Sequence, residues 1–125
     1  MAFYDWDRMN EEEITELYHR KIAIGESITV ARVEVKKGAV THPHSHENEE
    51  MILVLEGRWR FSLPTGDVTL ATNQMLRIPR GVEHSSEALE DTVALDICGA
   101  PVRADWLNGA DHSLHYDPDE SLWAV

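Results

Sequence analysis

Three histidines fall at alternate positions in the segment Thr41-His42-Pro43-His44-Ser45-His46, and Glu50 follows four residues after the last of them. In an extended backbone, residues two apart point to the same face, so His44 and His46 can converge on one ion. Imidazole nitrogen and carboxylate oxygen together suit a borderline divalent metal such as Zn, Ni, Mn or Fe. Such an ion needs further ligands from elsewhere in the chain. His84, on a second strand entered through the turn Pro79-Arg80-Gly81, is the candidate. Three His and one Glu leave open positions on a metal with higher coordination, which distinguishes reactive sites from structural ones. Pro43 breaks the local pairing at His42 and leaves its part in the site open. His19, His112 and His115 have no partners at ligand spacing and read as surface residues.

Strands must position these groups. β-rich runs recur at 17–24, 27–36, 51–55, 58–63, 67–71, 75–78 and 92–98, separated by Gly25, Gly38, Gly57, Pro64-Thr65-Gly66, Asn73 and Pro79-Arg80-Gly81. Turn signals this closely spaced predict an all-β sandwich or barrel. Val33 and Val35 alternate with Arg32, Glu34 and Lys36, and Trp59, Phe61 and Leu63 with Arg58, Arg60 and Ser62. That period of two belongs to strands with one buried face. Around 51–55 and 93–97 the alternation gives way to apolar residues, broken only by Asp96, which predicts strands covered on both sides. Segment 10–17 predicts a short helix with Asn10 as N-cap, although Ile14 and Leu17 make only a narrow apolar stripe.

A length of 125 residues fits one domain, and 42% hydrophobic with 27% charged residues is the composition of a globular protein able to bury a core. The single domain is expected over 1–125, with a barrel core at about 15–108 and a polar, turn-rich C-terminal tail at 109–125. Leu122 and Trp123 at its end are expected to cover part of the barrel or a partner subunit, the alternative being disorder. The formal charge of −12 argues against nucleic acid and anionic membrane surfaces as partners. It would also repel an anionic substrate unless an arginine or a metal supplied local positive charge. Cys98 is the single cysteine, so no intramolecular disulfide can form, and it reads as a buried small hydrophobe. The first 13 residues carry no basic segment followed by an apolar run, and no stretch reaches the ~18 apolar residues of a membrane span. A cytoplasmic location is expected.

These residues resemble the cupin superfamily. Gly38, His44, His46, Glu50 and Gly57 stand at the spacing of its first motif, and Pro79, Gly81 and His84 at that of its second. Asn73 stands in place of the usual leading Gly of the second motif, and Ala88 in place of its closing Asn. The resemblance implies a six- to eight-strand jelly-roll barrel with one metal ion in its lumen. A narrower likeness runs through Arg20-Lys21-Ile22, Thr29-Val30-Ala31-Arg32-Val33-Glu34, Val54-Leu55-Glu56-Gly57, Val93-Ala94-Leu95-Asp96 and Arg103-Ala104-Asp105-Trp106-Leu107. These segments are similar to the small KdgF-type cupins of pectin and alginate breakdown, which convert unsaturated monouronates to linear keto-uronates. The likeness implies Asp96 as the essential aspartate and Arg103 as the substrate arginine. Glu50 stands where that group commonly has Gln, and the gap between Asp96 and Arg103 is about one residue longer.

The expected activity is therefore a metal-dependent, lyase- or isomerase-like reaction on a small anionic sugar acid. A positioned carboxyl such as Asp96 can shuttle a proton, and a guanidinium such as Arg103 can bind a carboxylate through two parallel hydrogen bonds. Asp96 should share a strand face with Ala94 and Cys98. A capping or partner-paired aspartate near a strand end is its other reading. Arg60 and Arg77 are read as a solvated strand face. A cupin dioxygenase acting on a small organic substrate and a non-catalytic ligand-binding cupin are the competing functions. A homodimer is expected because open sheet edges invite a second copy.

Overall fold

The computed structural model describes residues 2–100 and Trp106. Ten strands follow a 3₁₀ turn at Trp6–Arg8: β1 (Glu12–Thr15), β2 (Tyr18–Ile24), β3 (Ile28–Val35), β4 (Val40–His44), β5 (Glu50–Glu56), β6 (Arg58–Leu63), β7 (Gly66–Ala71), β8 (Met75–Ile78), β9 (His84–Ala88) and β10 (Thr92–Gly99). They form a six-stranded sheet in the order β1-β2-β3-β10-β5-β8 and a four-stranded sheet in the order β4-β9-β6-β7. Every pairing is antiparallel. Two such sheets with strands exchanged between them are a jelly roll, the architecture that the resemblance implies, built here from ten strands where six to eight were expected.

Alternation builds the interior. Burial along β3 and β10 switches at every residue, so Ala31, Val33 and Val35 point inward with Ala94, Asp96 and Cys98. From the facing sheet Trp59, Phe61 and Leu70 complete the core, with the Trp59 and Phe61 rings 4.7 Å apart. Each fully buried aliphatic or aromatic side chain of this kind contributes about 1.5–3 kcal/mol relative to exposure. Trp106 lies in the same core.

The expected helix at 10–17 is instead the edge strand β1 and a turn. Ile14 and Leu17 are 46% and 40% exposed, so no apolar stripe exists to dock a helix. Pairing of Glu12 with Arg20 and Glu13 with His19 outweighs a weak local propensity. Coverage of runs 51–55 and 93–97 on both sides is also corrected. Met51 and Leu55 are 36% and 38% exposed, and the outward residues of β10 are only half-buried. Leu95 stands between Leu53 and Arg32 across the sheet, so its cover is lateral.

Turn chemistry follows the sequence closely. Asn73 takes φ +67°, the left-handed conformation that Asn tolerates where the motif usually has Gly. Gly57, at φ +103°, turns β5 into β6 so tightly that an added Cβ would meet Thr92 Oγ1 at 2.6 Å. No helix of the described residues is long and apolar enough to cross a membrane. The tail at 109–125, with Leu122 and Trp123, lies outside the described residues.

Candidate metal centre

The two motifs meet across the β4–β9 pair. Thr41 opposes Ser86 and His44 opposes His84, with a one-residue irregularity between the two pairings. That irregularity takes up His42 and Pro43, so Thr41 and His44, three positions apart, both reach the interior. His42 itself is exposed and sits at the cavity margin. His46 lies beyond the end of β4, on the segment leading to Glu50 at the start of β5. The turn after β8 closes onto it, with the Gly81 N–H donating to the His46 carbonyl at 2.9 Å. The Asn48 side chain donates to the Gly99 carbonyl at 2.8 Å and ties this segment to β10.

Ring orientation is set by the backbone. Nδ1 of His44 lies 2.8 Å from the His42 carbonyl, Nδ1 of His46 lies 3.1 Å from that of Asn48, and Nδ1 of His84 lies 2.9 Å from that of Val82. A carbonyl only accepts, so each Nδ1 carries the proton and, in the neutral ring, each Nε2 presents a lone pair. The three rings can offer nitrogens all within 4.8 Å of one another, with centroids 4.4 to 5.8 Å apart. Glu50 Oε1 lies 3.3 Å from His46 Nε2 and 3.2 Å from His84 Nε2.

Lone pairs and a carboxylate oxygen at such distances repel unless a proton or a cation lies between them. Glu50 is 2% and His84 4% exposed, so water screens this repulsion poorly, and the buried His46 Nε2 has no hydrogen-bond partner among the described residues. Two ligands bound at ~2.1 Å to one ion at angles between tetrahedral and octahedral lie ~3.0–3.4 Å apart, which brackets the observed separations. The three imidazoles, with Glu50 against two of them, could therefore hold one divalent ion. The donor set of three nitrogens and one oxygen suits a borderline transition metal without selecting one.

A cavity of about 310 Å³ opens beside this cluster. His44, His84 and Glu50 form one part of its wall, and Tyr18, Trp59, Phe61 and Trp106 supply aromatic faces. Thr41 and Ser86 share a 2.6 Å hydroxyl hydrogen bond on the same lining. Asp96 points inward at 4% exposure and lines the cavity, with the Cys98 thiol 3.9 Å from its Oδ1. Ligand atoms of Glu50, Asp96 and Cys98 all come within 4.8 Å of one another. Asp96 thus shares its face with Ala94 and Cys98 and adjoins the histidine cluster through Glu50. Cys98 is fully buried, as read.

Arg103 lies outside the described residues. Arg60 and Arg77 pair on the surface with Glu87 at 2.7 Å and Glu49 at 2.6 Å, outside this cavity. Sequence reasoning missed Arg20, which is 7% exposed and lines the cavity. The signal was available: Tyr18, Arg20, Ile22 and Ile24 form one period-two face of β2, and an arginine on a face that is otherwise apolar or aromatic marks a buried charge.

The cupin domain family model matches residues 31–98, more than half of the chain, and the chain belongs to that family. Among solved structures it is similar to KdgF from Halomonas sp., with 26% identity, a TM-score of 0.77, and coverage of 84% of this chain and 99% of that one. An RmlC-like cupin from Shewanella frigidimarina shares 19% identity at a TM-score of 0.77, covering 85% of this chain and 96% of that one. Ectoine synthase from P. lautus shares 12% identity at a TM-score of 0.74, covering 86% and 83% respectively. The last two likenesses bear on the fold alone. No curated protein matches the sequence.

Proposed function

We propose that this cupin is a metal-dependent enzyme that opens unsaturated monouronates, sugar acids of the kind released from pectin or alginate, to linear keto-uronates. The observation that carries the reading is a buried carboxylate, Asp96, on the wall of a cavity that also carries His44, His84 and Glu50, with the His46 ring clustered beside those two histidines. Likeness to the KdgF structure at 26% identity supports it. A lining of aromatic faces and hydroxyl groups suits a small sugar, whose ring has apolar faces and a polar rim.

The reaction is an isomerisation, so every atom of the substrate is kept. The anomeric hydroxyl loses its proton to Asp96, the bond from the anomeric carbon to the ring oxygen breaks, and an aldehyde and an enolate result. Asp96 then delivers that proton to the enolate carbon, which leaves a ketone. A divalent ion held by His44, His46, Glu50 and His84 would stabilise negative charge developing on substrate oxygen. In this reading Arg103 is a substrate-binding arginine and the enzyme works in the cytoplasm.

Purified, metal-loaded protein is expected to consume the near-ultraviolet absorbance of an unsaturated monouronate without dioxygen. Asp96→Asn should retain metal and lose turnover by about 10²–10⁴-fold. Turnover that needs dioxygen would identify an oxygenase, binding without product a sensor, and an unimpaired Asp96→Asn variant would remove this residue from the mechanism.

A further inference from the structure

We propose that Arg20, on β2, is the residue that selects an anionic ligand in the cavity by binding its carboxylate. The inference rests on the reading of the cavity as a site for a small organic acid, and it concerns a residue of the N-terminal strands, outside both cupin motifs.

Three observations carry it. Arg20 is the one Lys or Arg among the described residues that line the cavity, whose other charged lining residues are Glu50 and Asp96. The chain as a whole is strongly acidic at −12, so an anion entering this space has Arg20 as its one guanidinium attraction from the described walls. The guanidinium is also held in place from two sides. Glu12 Oε2 on the edge strand β1 lies 3.4 Å from its Nη2, and the Trp106 ring centroid lies 5.9 Å from its Cζ. An arginine gripped in this way has lost its rotamer freedom before any ligand arrives, which reduces the entropic cost of binding.

The Glu12 contact is long for a charge-assisted bond, and a bidentate ligand carboxylate would form shorter ones, near 2.7–2.9 Å. Placement is also suitable. Arg20 stands opposite Val33, and Asp96 opposite Ala31, so β2 and β10 are separated by β3 alone. Two inter-strand steps put about 10 Å between their backbones. A ligand carboxylate bound at Arg20 would leave the rest of a small acid between β2 and the side of the cavity that holds Asp96 and the histidines. This orients the acid end away from the reacting end and gives the buried guanidinium a role besides its pairing with Glu12.

The test compares binding of D-galacturonate with that of its neutral methyl ester to metal-loaded protein, read by quenching of the tryptophans in the cavity. Wild type should prefer the acid by about tenfold or more, the range expected of hydrogen bonds to a charged group. Arg20→Met leaves Glu12 buried beside an apolar chain and can fail to fold. The double variant Arg20→Met/Glu12→Gln therefore removes both charges, with metal content as the check on the site. Its preference should fall to about twofold or less, and Arg20→Lys should restore part of it. No preference in wild type, or binding of neither compound, overturns the proposal. So does an undiminished preference in the double variant, which would assign selection to the metal or to another cation. An Arg20-dependent preference in a protein that fails to turn over unsaturated uronate would keep this inference and discard the linearisation reading.

Discussion

A backbone carbonyl next to each Nδ1 decides how the rings of His44, His46 and His84 are turned. The spacing of these residues made them legible as candidate ligands, because period two in a strand and a second motif at a distance are properties of sequence. Their protonation pattern was not legible, since it depends on where the carbonyls of His42, Asn48 and Val82 come to rest in the folded loops. Arg20 was missed for a related reason: only tertiary pairing places it on the same wall as Glu50. Asn48 belongs to this scale. Its side chain is 95% buried against β10, and its carbonyl accepts a hydrogen bond from the His46 Nδ1. Asn48→Ala should keep the fold and lower metal affinity about 10-fold or more, as loss of outer-shell support commonly does. Competition against a chromogenic chelator would measure it, and an affinity equal to wild type would show that the loop holds His46 without the Asn48 tether.

Strands with a regular apolar pattern were readable along nearly their whole length, β4 and β9 only through their histidines, and β1 not at all. Nothing in 10–17 announces a strand; its pairing comes from β2, and a neighbour's hydrogen bonds are invisible in a local window. Charge pairs at this edge give a direct check. His19 lies 3.2 Å from Glu11 and 3.5 Å from Glu13, and the Glu11 hydrogen bond above all, helped by the Glu11 charge, a backbone hydrogen bond at Glu16 and the Glu13 charge, holds its pKa above the ordinary 6.5 against the desolvation of the ring. A raised folded pKa means that the protonated ring favours the docked edge. The stabilisation is complete below the unfolded value and disappears as pH rises through the folded one. A proton NMR titration should place the His19 midpoint above 6.5 and find it lower in Glu11→Gln; a midpoint unmoved by that change would remove Glu11 as the cause.

The whole molecule joins two sheets around a core that one end of the cavity interrupts with charge. Glu50, His84, Asp96 and Arg20 are all at least nine-tenths buried, a concentration of polar groups that a 125-residue chain would not retain for stability alone. The outer edges β1, β8, β4 and β7 each lack a second strand partner among the described residues, which motivates the expected homodimer. Sedimentation equilibrium should return twice the chain mass, and a monomer at all concentrations would remove the second copy from the account. The central claim is narrower: three imidazoles and one carboxylate hold a single ion. X-ray absorption at the edge of the metal that the purified protein carries tests it most directly. The account predicts nitrogen and oxygen neighbours with the multiple-scattering signature of three imidazoles, reduced to two in His84→Gln. Protein that binds no divalent transition metal, or a signature untouched by His84→Gln, would contradict it.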